Sequence, residues 1–98
     1  MAKDKFKPLG VPPAALKEGG VEILRASVVN NGLHIAMIRA FDDPQAWGML
    51  LADVTRHAAR IFARETRVSE AQATEAIRNM FDAEMDAPTD PGTTNAIS

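Results

Sequence analysis

Residues 44–65 read PQAWGMLLADVTRHAARIFARE, and the spacing of their apolar side chains decides the fold. Trp47, Leu50, Leu51, Val54, Ala58, Ile61 and Phe62 recur at intervals of three and four, the spacing that lines one side of a 3.6-residue helix. Asp42 and Asp43 precede Pro44. A carboxylate can thus take the orphan amides of the first turn, and a residue of preset φ opens it. A second row, Gly48, Ala52, Thr55, Ala59 and Ala63, lies beside the first and carries only small side chains. Such a row admits a close neighbour, from the same chain or from a second subunit. Glycine early in a helix costs about 1 kcal/mol relative to alanine, so Gly48 predicts a group passing too near for a methyl. A third row, Arg56, Arg60 and Arg64, follows at i, i+4 and i+8, with Asp53 and His57 at the border of the core face.

Upstream, Val21 to Val29 and Leu33 to Phe41 are rich in strand formers and flank Asn30, Asn31 and Gly32, which predicts a β-hairpin over about 21–41. With Asn31-Gly32 as the two-residue turn, Val28 faces Ile35, Ala26 faces Met37, Leu24 faces Arg39 and Glu22 faces Phe41. The opposite side then pairs Val29 with His34, Ser27 with Ala36, Arg25 with Ile38 and Ile23 with Ala40. Both sides are partly apolar. A face bearing Ile23, Val29 and Ile38 is greasier than solvent requires, and an isolated two-stranded sheet is marginal. A third strand from the N-terminal arm or from a partner's hairpin is therefore expected.

Beyond Thr66 and Arg67, Ser69 stands three residues before Gln72, the capping-box spacing, with Val68 and Ala73 placed as a staple. Ala73, Ile77, Met80, Phe81 and Met85 continue as the apolar stripe of a second helix, about 70–86. The expected fold class is α+β: the hairpin, then two amphipathic helices, about 44–65 and 70–86, packed on one sheet face. Residues 1–20 mix lysine, proline and glycine and read as an extended arm, mobile at its start. Residues 21–86 read as one compact domain and 87–98 as a flexible tail.

The chain has 98 residues and a formal net charge of −2, too small and of the wrong sign for a general nucleic-acid binder. It contains no cysteine, which removes disulfides and thiol chemistry. The basic start runs into Pro8 and Gly10 instead of an apolar signal core, and no stretch is long and apolar enough to span a bilayer. A cytoplasmic location is expected.

His34, Asp53 and His57 form the sharpest candidate site, since two histidines and a carboxylate can hold zinc or iron. All three would have to meet on one face, yet the hairpin register sets His34 on the side of the sheet opposite the stripe with Val28 and Ile35. Asp53 and His57, one turn apart, read more simply as a hydrogen-bonded pair at the rim of the core. No metal or other cofactor is expected. Nucleophilic catalysis lacks Cys and Tyr, and Ser69 is accounted for as a cap. Arg56, Arg60 and Arg64 could meet a polyanion, but Glu75, Asp82 or Glu84 of the second helix can neutralise them.

Val11 to Leu16, Leu33-His34, Ala46-Trp47-Gly48, Leu51-Ala52-Asp53-Val54 and His57 together resemble a bacterial family, the domain of unknown function 5076 group of alphaproteobacteria. The resemblance covers roughly residues 11–62. It implies a stand-alone domain and transfers no catalytic residue. The residues themselves point to a non-catalytic interaction or regulatory module that pairs with a second copy or another protein. Its interface is expected around Ile23, Val29 and Ile38 or along Gly48, Ala52, Thr55 and Ala59. A ligand- or metal-dependent enzyme centred on His34, Asp53 and His57, and a nucleic-acid binder using the arginine row, are the alternatives.

Overall fold

The structure, a computed structural model, describes residues 5–90 together with Gly92 and Thr94. The mobile start expected for Met1 to Asp4, and the far end of the tail, lie outside those residues. Along the chain run α1 (Pro13–Glu18), β1 (Leu24–Val29), β2 (Gly32–Met37), α2 (Gln45–Glu65) and α3 (Glu70–Asp86). A two-stranded antiparallel hairpin followed by helices is the expected α+β arrangement. The chain divides into two compact units that meet in sequence between Ile38 and Arg39. Each is described by itself.

In the first unit, β1 pairs with β2 so that Leu24 faces Met37, Ala26 faces Ile35, Val28 faces Leu33 and Val29 faces Gly32. This corrects the expected register: the turn is Asn30-Asn31, and Gly32 opens the second strand. Asn30 and Asn31 have φ of 50° and 65°. Two successive left-handed residues are what a type I′ turn needs, and asparagine tolerates that region because its short polar side chain bonds locally. The slip is by two positions in pairing, so with a side-chain period of two every residue keeps its face. One face therefore carries Leu24, Ala26, Val28, Leu33, Ile35 and Met37; the other carries Ile23, Arg25, Ser27, His34, Ala36 and Ile38. Ile38 N donates to Ile23 O at 3.1 Å, carrying the pairing one step further. Among the described residues no third strand joins the sheet.

Within the arm, read as extended, Pro13–Glu18 is helical. A proline at the first position has no amide to lose, and the Ala-Ala-Leu-Lys-Glu that follows is made of strong helix formers. Gly19, at φ 82°, ends the helix in the left-handed region. Further along the arm, Phe6 lies under the Arg25 guanidinium, 5.8 Å from ring centroid to carbon. Arg25 also donates to both carboxylate oxygens of Glu22 at 3.1 Å.

The second unit begins with a braced joint. Trp47 Nε1 donates to the Arg39 carbonyl at 2.7 Å, and Phe41 meets Trp47 edge-on at 5.9 Å between centroids. Between them Ala40 sits at φ 66°. Asp43 Oδ1 accepts from Gln45 N at 2.9 Å, so the aspartate before Pro44 caps α2 as expected. At the other end, Thr66 Oγ1 donates to the Phe62 carbonyl and accepts from Val68 N. The predicted capping box follows, with Gln72 N donating to Ser69 Oγ at 3.1 Å and Ser69 N to Gln72 Oε1 at 2.9 Å. α3 then packs against α2. Ala59 (0% exposed) and Ala73 (5%) are the buried residues of the described chain.

Candidate association surfaces

The apolar face of the hairpin follows from simple alternation along both strands, and all its members but the half-buried Leu24 are exposed. Val28 is 76% and Leu33 66% exposed, and Ile35 and Met37 are exposed as well. On the opposite face Ile23, Ser27 and Ile38 are half-buried, and the arm reaches it through Phe6 and Arg25. The residues expected at an interface, Ile23, Val29 and Ile38, therefore sit on the more covered side, with Val29 near its open end.

On α2 the small row is occupied in part from within the chain. Ala59 is sealed and Thr55 is half-buried, while Ala52 and Gly48 are exposed. A methyl on Gly48 would meet nothing within 4 Å. Among the described residues of the second unit nothing supplies the crowding anticipated there, because burial between α2 and α3 concentrates at Ala59 and Ala73. The large apolar residues Leu51, Val54, Ile61 and Phe62 stay exposed on α2, as do Met80, Phe81 and Met85 on α3. Concavities on α3 are shallow and belong to that helix alone; one is lined by Ala76, Ile77, Met80, Phe81 and Glu84.

The arginine row is partly paired. Arg56 lies 3.5 Å from Asp53, one turn back, and Arg60 lies 4.0 Å from Glu70 at the start of α3. The neutralising partner on α3 is thus Glu70, in place of the expected Glu75, Asp82 or Glu84. Glu84 is engaged elsewhere: its carboxylate accepts from Thr89 N at 3.1 Å and Thr89 Oγ1 at 2.7 Å. The Thr89 amide first, then its hydroxyl, hold the Glu84 carboxyl below the usual carboxylate range.

His34 stands on β2 opposite Ser27, whereas Asp53 and His57 stand on α2. Asp53 turns to Arg56 and not to the histidine predicted as its hydrogen-bond partner. Among the described residues no three His, Cys, Asp or Glu side chains come together as a metal ion would require. No helix of the described chain is long and apolar enough to cross a membrane.

A family model, DUF5076, a domain of unknown function, matches residues 8–89. Among solved structures, the chain is 47% identical to a "putative pyruvate dehydrogenase" from the photosynthetic bacterium Rhodopseudomonas palustrus CGA009, with a TM-score of 0.78 over 95% of this chain and 97% of that one. The curated proteins contain no match.

Proposed function

Since the chain belongs to the domain of unknown function 5076 family, for which no activity is assigned, we propose that it acts as a non-catalytic interaction or regulatory module that works as a homodimer. The observation that carries this reading is the uniformly apolar hairpin face, where Ala26, Val28, Leu33, Ile35 and Met37 are exposed beside a half-buried Leu24 on a ribbon of two strands. A two-stranded ribbon is marginal in water, and contiguous apolar surface of this kind marks an association site. The face around Ile23, Val29 and Ile38 is the less favoured surface, because the arm already reaches it. The name of the Rhodopseudomonas relative suggests an enzyme. The two α3 concavities are lined by Ala, Gln, Glu, Asn, Ile, Met and Phe side chains.

Light scattering at micromolar concentration tests the proposal, with twice the chain mass of 10.6 kDa expected. Val28→Asp and Ile35→Asp are expected to shift the species toward monomer, since each would place a charge in the apolar contact. A wild-type chain that stays monomeric throughout that range overturns the proposal.

A further inference from the structure

We infer that two copies join through the open edge of β2, antiparallel about a two-fold axis at Ile35, so that the two ribbons become one continuous sheet. The inference rests on the self-association proposed above and specifies how the strands meet. Every residue it uses belongs to the first unit.

Hydrogen-bond alternation comes first. In an antiparallel ladder, opposed residues alternate between exchanging both backbone bonds and exchanging none. Ile38 N donates to Ile23 O, which marks these two as a bonded pair. Counting back in twos along the register, Ala36 with Arg25, His34 with Ser27 and Gly32 with Val29 are bonded pairs too. Leu33, Ile35 and Met37 therefore direct their N–H and C=O groups away from β1, toward the free edge. Among the described residues no third strand receives them.

The two edges of the ribbon differ in chemistry. β1 carries Arg25, held by Glu22 at 3.1 Å, and a charged side chain on an edge strand resists pairing with another chain. β2 reads Gly-Leu-His-Ile-Ala-Met, without lysine, arginine, acid or proline, and Leu33 to Met37 are all exposed. An unblocked apolar edge of this kind is a template for a further strand. A second copy fits it by symmetry. Turned about Ile35, each Ile35 exchanges both backbone bonds with the other, and Leu33 does so with the partner's Met37. The outward groups of β2 are then paired, and the apolar faces of the two ribbons run on into each other.

Proline removes an outward N–H without touching the ribbon's own ladder. Ile35→Pro is expected to lower the native mass from two chains to one, whereas Ala26→Pro, the equivalent change on the edge of β1, leaves two. A second measurement decides whether or not the proline variants fold. The chain has no cysteine, so His34→Cys and Ala36→Cys chains with distinguishable tags are mixed and oxidised. Edge pairing sets these positions opposite each other, about 4.5 Å apart between Cα atoms and within disulfide reach, and predicts a mixed disulfide as the main covalent product. Faces stacked on each other would hold both positions on the outer sides of layers about 10 Å apart and yield none. Ile35→Asp, which opposes two carboxylates at the axis, is expected to dissociate the dimer more completely than Val28→Asp, one strand away. A dimer that survives Ile35→Pro, or that forms no mixed disulfide, overturns edge pairing about Ile35 and leaves self-association standing. A monomeric wild type overturns both.

Discussion

Gly48 and Glu84 show how far a single side chain's neighbours decide its role. Gly48 lies in a helix, and among the described residues nothing beyond its own helical turn comes within 4 Å of where a Cβ would sit. Gly48→Ala is therefore expected to raise thermal stability by about 0.5–1 kcal/mol, since alanine loses less backbone entropy and meets no clash. A loss on thermal unfolding would mean that a partner passes close to α2 there. Glu84 is fully exposed, yet the Thr89 amide and hydroxyl favour its charged form. A carboxyl depressed in the folded state contributes stability that is present above its unfolded value and lost as pH falls through the folded one. The Glu84–Thr89 clasp is expected to hold at neutral pH and open on acidification. In an NMR titration Thr89→Ala should move the Glu84 midpoint upward, toward the ordinary carboxylate range; an unmoved midpoint would exclude the hydroxyl's share.

At the scale of elements, capping chemistry was readable because it is local. Asp43 before Pro44, and Ser69 with Gln72, satisfy amides two or three residues away, so spacing alone located both helix starts. The short helix α1 is equally local: in its Pro-Pro-Ala-Ala-Leu run proline's extended preference competes with its first-turn preference, and the first-turn preference prevails. The hairpin turn was misplaced for a different reason. Asn-Gly and Asn-Asn both allow two left-handed residues, and only the pairing of the flanking strands chooses between them. Packing between α2 and α3 depends on side chains as small as Ala59 and Ala73. Ala59→Leu is expected to destabilise the chain by about 1–3 kcal/mol through overpacking, measured by denaturant unfolding. Ala52→Leu, on the same row but exposed, should change stability far less.

For the whole molecule, the question is what binds to the apolar surface and what does not. The association proposed through Val28, Leu33 and Ile35 would be hydrophobic, so raising the salt concentration should leave the native mass unchanged. Dissociation by moderate salt would point instead to charged contacts such as the row of Arg56, Arg60 and Arg64. A polyanion held by that row would be lost steeply with salt, and Arg56 and Arg60 already face Asp53 and Glu70. The candidate metal set was readable only as residue types. Asp53 was free to pair with His57 by spacing, but Arg56 on the same helix took it. The α+β order, both long helices and the membership of each hairpin face follow from periods of 3.6 and 2 that any stretch of the chain carries within itself. Which residues make the turn depends on how the two flanking strands pair, and which alanine of the small row is sealed and which acid meets Arg60 depend on contacts between one helix and the next. Those contacts have no local period to announce them, and only packing in three dimensions selects among them.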